Sequence, residues 1–284
     1  MINALSFDIE DWFHICGVDY LKDMNEWHKY ENRVVKNTNR ILSILEKFET
    51  KATFFILGWV AEQNPDLVSS ISSKGHELAT HGYSHTPIFE LSKEDFEKEL
   101  NKSIYSIESA SQKKVLGFRA PSFSITNECE WVFEVIKKSG LIYDSSLFFA
   151  KRADGGFHPP NNFKKDIFTI QTDNGNLLEY PMSIVEYLNV KIPACGGGYF
   201  RFYPLFLTYW LFNKINSSGK PVNFYLHPRD LDPGQPKLPM KFRKQIKSYT
   251  GLKTSEVKFF SLLERYEFTS IAESIIINYK GNSK

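Results

Sequence analysis

Cysteine is scarce: Cys16, Cys129 and Cys195 are the whole complement of a 284-residue chain. An odd number without CxxC spacing argues against a disulfide framework and suits reduced thiols in a cytoplasm. An excess of one charge is missing as well. The formal net charge is only +2, which gives no electrostatic case for nucleic acid. The lysine-rich stretch 237–253 is modest and reads as a solvated face. Long apolar runs are absent too. The densest, 203–212, is too short to span a bilayer and reads as a buried or membrane-facing helix. No transmembrane segment is therefore expected, and peripheral membrane association stays open. The chain enters a strand at Ile2, Ala4 and Leu5 with no basic-then-apolar leader, so a cytoplasmic location is expected.

What is present is aromatic. The chain holds 24 Phe, 14 Tyr and 5 Trp, enough to fill a core and still line a groove where flat rings stack on sugars. Apolar spacing alternates between strand and helix periods. Strands are expected at 2–8, 52–57, 77–80, 115–119, 141–143, 222–226 and near 268–272. Helices are expected at 34–48, 66–74, 92–111, 126–138, 204–217 and 255–266. Asn64-Pro65 opens the second helix, Gly75 stops it, and Ser92 caps the third. This alternation predicts a parallel sheet with helices outside, most simply an α/β barrel. One domain over 1–284 is expected, elaborated at about 145–200, where short strands at 167–171 and 177–181 break the rhythm. The run from Cys195 through Gly196-Gly197-Gly198 to Arg201 reads as a loop. It lacks the Lys-Ser/Thr of a phosphate loop, and Tyr199 and Arg201 are candidate substrate contacts.

In such a barrel the functional ends are the C-terminal ends of the strands. The suggestive polar residues fall there: Asp8, Glu10 and Asp11 after the first strand, and His81 and His85 after the third. Arg119 follows the fourth, Asp144 the fifth, and His227 the strand 222–226. Two imidazoles with a carboxylate are the ligand set of a catalytic divalent metal with open positions, zinc before others. A spare carboxylate remains as a base, so the pattern predicts a metal-assisted hydrolase. The carboxylate ligand is Glu10 or Asp11. Glu10 shares a strand face with Asp8, whereas Asp11 suits a chain that turns at Ile9; the expectation leans to Asp11. His14, His28, His76 and His158 default to structural or surface roles, and Trp12, Trp59 and Trp131 to the core.

These motifs resemble those of carbohydrate esterase family 4, the polysaccharide deacetylases of NodB-homology fold. Ser6-Phe7-Asp8 with the following acids resembles the Thr-Phe-Asp-Asp-Gly motif, and His81 with His85 matches His-Ser/Thr-x-x-His. Arg119-Ala120-Pro121-Ser122-Phe123, Tyr143-Asp144-Ser145-Ser146 and Leu226-His227 are similar to the later motifs, in family order. Asp8-x-Glu10-Asp11-Trp12-Phe13-His14, the triple-glycine run and His227-Pro228 look like the branch found in exopolysaccharide loci. The resemblance implies a distorted (β/α)7-type barrel and removal of acetyl groups from an N-acetylated sugar or glycan precursor; the expected cytoplasmic location points to a nucleotide- or lipid-linked one. It implies that Asp8 is the base, held by Arg119, and that His81 and His85 bind the metal. It further implies that His227 is the acid with Asp144 its partner, and that a backbone N–H near Phe123 helps hold the oxyanion. The alternatives are a hydrolase of a cyclic amide or ureide, and a non-catalytic glycan-binding protein.

Overall fold

A computed structural model describes residues 1–150 and 166–279. His158 and part of the expected elaboration lie outside the described residues. The strands are β1 (Asn3–Ile9), β2 (Thr53–Ile56), β3 (Glu77–Thr80), β4 (Gly117–Phe118), β5 (Tyr143–Asp144), β6 (Phe168–Thr172), β7 (Gly175–Glu179), β8 (Ile184–Tyr187), β9 (Val190–Pro193), β10 (Asn223–Leu226) and β11 (Phe268–Thr269). The helices are α1 (Val34–Lys47), α2 (Gly58–Gln63), α3 (Pro65–Ser73), α4 (Lys93–Ser111), α5 (Trp131–Lys138), α6 (Gly197–Phe202), α7 (Leu205–Asn216), α8 (Phe242–Tyr249), α9 (Leu252–Arg265) and α10 (Ile271–Asn278).

Seven strands run parallel in the order β10-β1-β2-β3-β4-β5-β7. The hairpin strand β6 is added antiparallel at one edge, and β11 pairs beside β1. This is the mixed α/β, parallel-sheet architecture expected of a distorted barrel. Its central strands β1–β5 are almost wholly buried on both faces, which is why they read as near-continuous apolar runs such as Thr53-Phe54-Phe55-Ile56. Phe7, Phe54, Phe118, Phe212, Phe224 and Phe259 fill the layer between sheet and helices, so most of the aromatic excess is core.

Several expectations need correction. The run 195–201 is not a loop: Gly196, at φ +92°, turns the chain, and α6 begins at Gly197. Glycine lowers helix propensity, but a Cβ on Gly197 would fall 1.7 Å from Asp230 Oδ2, so close packing fixes the residue type. The lysine-rich segment holds the helix α8, and α10 follows β11 directly. Asn64 precedes α3 without a side-chain cap, since its carboxamide bonds Val60 O and Asn32.

Candidate active site

The ladder itself delivers the site residues. The His81 N–H bonds Ile56 O and the Arg119 N–H bonds Thr80 O, so each side chain emerges where its strand ends. After His81 the chain turns through Gly82 at φ +77° and His85 at φ +56°. The carbonyls of Gly82 and Tyr83 accept from the Gly58 and Trp59 N–H groups at the start of α2, which pins this loop. Two of the histidines therefore face one acid across the barrel mouth.

Glu10, His81 and His85 place one ligand atom each within 4.8 Å of one another, and all three are buried. His85 Nε2 lies 2.6 Å from Glu10 Oε2, and His81 Nδ1 donates to Arg119 O at 2.8 Å, leaving Nε2 as its lone-pair nitrogen. Burial pushes the His81 imidazole down to about 4, which favours the neutral form a metal needs. Burial raises the Glu10 carboxyl, but His85 and His227 outweigh it and hold it at about 2. A divalent cation fits this donor set: two nitrogens and one anionic oxygen, preaimed and out of bulk water. Cys16 backs the cluster, its Sγ 3.4 Å from His85 Nδ1.

Asp11 is not in the cluster. Its Oδ2 accepts from the Arg33 and Val34 N–H groups at 2.9 and 3.0 Å, and its Oδ1 from Trp12 N–H at 2.8 Å. These donors include an otherwise orphaned amide at the start of α1, so Asp11 caps a helix. β1 continues to Ile9, which leaves Glu10 beside Asp8 on the inner face.

Asp8 is buried, and its Oδ1 accepts from Arg119 Nη1 at 2.7 Å. The guanidinium also donates to Ser6 Oγ, Ser145 O and Ser145 Oγ, and stacks 4.0 Å above the Phe55 ring. The second carboxylate oxygen, Asp8 Oδ2, faces His227 Nε2 at 3.9 Å, and that nitrogen is 3.7 Å from Glu10 Oε1.

Asp144 does not partner His227. It bonds Ser146 Oγ at 2.5 Å and shares a buried contact with Glu179. Burial and the Asp144 charge push the Glu179 carboxyl well above its ordinary value, which favours its protonated form. The partner of His227 is Asp230, with Nδ1 to Oδ2 at 2.8 Å. Its signal was the His227-Pro228-Arg229-Asp230 spacing: the strand ends, a one-turn helix begins, and Asp230 returns to the His227 N–H.

Arg201 is likewise not positioned as a substrate contact. It is buried, donates to Asp230 Oδ1 at 2.8 Å, and its Nη atoms hold the carbonyls of Lys247, Ser248 and Thr250. Phe123 forms a buried wall, its ring 5.1 Å from Tyr225, and Tyr225 in turn lies 5.4 Å from His227. The Phe123 N–H is taken by Ala120 O, so it is not a free oxyanion donor. Tyr199 is half-buried, its ring 5.8 Å from that of Tyr203. Trp12 packs among Phe13 and Tyr30 and bonds Glu31 O. His14, expected in a structural or surface role, is buried with its ring 6.2 Å from that of His85 and accepts from Asp11 N–H. Burial pushes it down to about 3.

Residues 27–141 match the polysaccharide deacetylase family. Over those residues the chain resembles a polysaccharide deacetylase domain. Residues 145–276 match a second family, described as a domain of unknown function, DUF3473. A peptidoglycan deacetylase-like protein of Gibberella zeae is 34% identical over 110 residues, 38% of this chain and 32% of that protein. A peptidoglycan deacetylase of Helicobacter pylori is 32% identical over 108 residues, 38% of this chain and 36% of that one. Chitin deacetylase 1 of Saccharomyces cerevisiae is 30% identical over 99 residues, 35% and 32% respectively. The chain thus spans about a third of the length of these relatives. Among solved structures, a Mycobacterium smegmatis protein assigned as a polysaccharide deacetylase superposes with a TM-score of 0.62 at 17% identity, over 97% of this chain and 89% of that one, which shows the shared fold. His81, His85 and Arg119 lie in the deacetylase match, whereas Arg201, His227 and Asp230 come from the DUF3473 match. Both segments contribute to one sheet: β2, β3 and β4 come from the deacetylase match and β6, β7 and β10 from the second, joined through β1 and β5.

Proposed function

We propose that the protein hydrolyses the acetamido group of an N-acetylated sugar or glycan, releasing acetate and leaving a free amine. The observation that carries this reading is the convergence of the Glu10–His81–His85 cluster with two separately oriented proton-transfer groups, Asp8 and His227. Glu10, His81 and His85 would hold a divalent ion, zinc being the best match to two imidazoles and a carboxylate. When bound, such an ion supplies Lewis-acid polarisation and lowers the pKa of water toward 7.

The protein's own groups complete the chemistry. Arg119 fixes one Asp8 oxygen and leaves Oδ2 to take a proton from the attacking water as it adds to the carbonyl carbon. Asp230 holds the proton on His227 Nδ1, so a protonated His227 turns its Nε2 proton to the amine nitrogen as the C–N bond breaks. Asp230, Glu10 and Asp8 together outweigh burial and raise the His227 pKa, which favours that protonated form. Phe123 and Tyr225 wall the site and limit water. The relatives that carry peptidoglycan or chitin deacetylase names support the choice of an N-acetylated glycan.

The test is acetate release from N-acetylglucosamine oligosaccharides and nucleotide-linked N-acetyl sugars, with and without chelator. Chelator-sensitive acetate from at least one of these supports the reading. Its absence from all of them with the ion bound rejects it.

A further inference from the structure

Apolar side chains on three adjoining elements are left outside. Phe202 at the end of α6 is 68% exposed, and Phe206 and Trp210, one turn apart on α7, are 74% and 37% exposed. Trp210 meets the Tyr187 ring edge-on at 5.4 Å, which extends the ridge to the β8–β9 hairpin, where Leu188 and Val190 are also exposed. Next to Phe202 lies α8, held against α6 by the Arg201 bonds to Lys247 O, Ser248 O and Thr250 O. None of the residues of α8 is buried, and Phe242 and Ile246 are exposed one turn apart.

Charge selects the occupant. From Lys237 to Lys253 the sequence holds six Lys or Arg and no Asp or Glu. Exposed aromatic and aliphatic residues beside this acid-free run of cations are the composition of a segment lying in the headgroup region of an anionic bilayer, the one acid of the adjoining hairpin strand β8 being Glu186. Aliphatic groups such as Leu188, Val190 and Ile246 have no use in stacking on sugar faces, and exposed apolar groups gathered on neighbouring elements mark interaction sites. No described helix is long and apolar enough to cross a membrane, so the segment would lie on it. We propose that the face formed by the β8–β9 hairpin, the α6–α7 corner and α8 docks on an anionic lipid surface. The site would then sit beside the bilayer. Lys244 Nζ on α8 donates to Cys16 O, and Cys16 backs His85, so docking places the barrel mouth near lipid-borne substrate.

The experiment is sedimentation of the whole protein with vesicles of phosphatidylcholine alone or with phosphatidylglycerol added, at low and high salt. Binding is expected only to the anionic vesicles and should weaken with salt, since each cation contributes about fivefold at such a surface. Phe202→Glu with Phe206→Glu, and separately Lys241→Glu with Arg243→Glu, should each reduce partitioning at least tenfold. Both variants should keep the wild-type melting temperature and acetate release from soluble oligosaccharide, which separates failure of docking from failure of the deacetylase reading. Absent binding, or binding indifferent to vesicle charge and to both pairs of substitutions, overturns the proposal. A solution dimer that Phe206→Glu dissociates gives this face to a second copy of the chain and overturns it equally.

Discussion

Asp230 Oδ2 lies 2.8 Å from His227 Nδ1, and the same carboxylate is gripped through its other oxygen by Arg201 Nε at 2.8 Å. An imidazole ending a strand is thereby held in one tautomer by an acid that is itself anchored to the α8–α9 junction. Asp230→Asn keeps the shape and removes the charge. Turnover should fall about 10²–10⁴-fold, the range of general acid–base catalysis, with metal content unchanged. Steady-state kinetics beside elemental analysis check this; a near-normal kcat would remove His227 from the acid role. Gly197→Ala should act in the same direction, because its methyl would displace Asp230.

Glu10 and Asp11 should respond differently to truncation. Glu10→Ala removes a ligand and should lower bound metal below one ion per chain, as should His81→Ala. Asp11→Ala removes the acceptor for three backbone N–H groups and should cost about 1–2 kcal/mol of stability, with metal retained. Metal loss in the Asp11 variant with full loading in the Glu10 variant would reverse the assignment.

For Asp8→Asn the expected result is a loss of most turnover with the ion still bound. Asparagine can still accept from Arg119, so folding should survive, but it cannot take a proton. A variant of near-normal rate would refute Asp8 as base.

The Asp144–Glu179 pair sets a pH dependence of stability. Burial and Asp144 raise the Glu179 pKa, so the folded chain keeps a proton that the unfolded chain releases above about 4.5. Stability from this pair is full below that value and declines as pH rises through the folded value. Glu179→Gln, whose amide supplies the donated hydrogen permanently, should flatten the decline: its melting temperature should exceed that of the wild type at about pH 9 but not at about pH 5. Parallel curves for the two proteins would contradict it.

The sheet was largely legible from the sequence because both-face burial writes strands as apolar runs, and because Pro65, Gly75 and Ser92 punctuate the helices. His81, His85, Arg119 and His227 were legible as strand-end polar residues. The side-chain partners were less so. Asp11 and Glu10 differ only in where β1 stops, a matter of one residue. Asp144 was read as the partner of His227 through its motif, whereas contact belongs to Asp230, three residues from the histidine. Arg201 was read as a candidate substrate contact at the end of a glycine-rich loop, yet Gly197 of that run lets α6 approach Asp230. The helix α8 went unseen because its stretch was read only as a lysine-rich solvated face, although Phe242 and Ile246 recur there at helical spacing.

One titration tests the central claim most directly: acetate released per minute from an N-acetylglucosamine oligosaccharide as metal-free protein is loaded with zinc. The expected result is a rate that rises with bound ion and levels off at one ion per chain, with no rise in Glu10→Ala. Full activity in metal-free protein, or no acetate at one ion per chain, would contradict it.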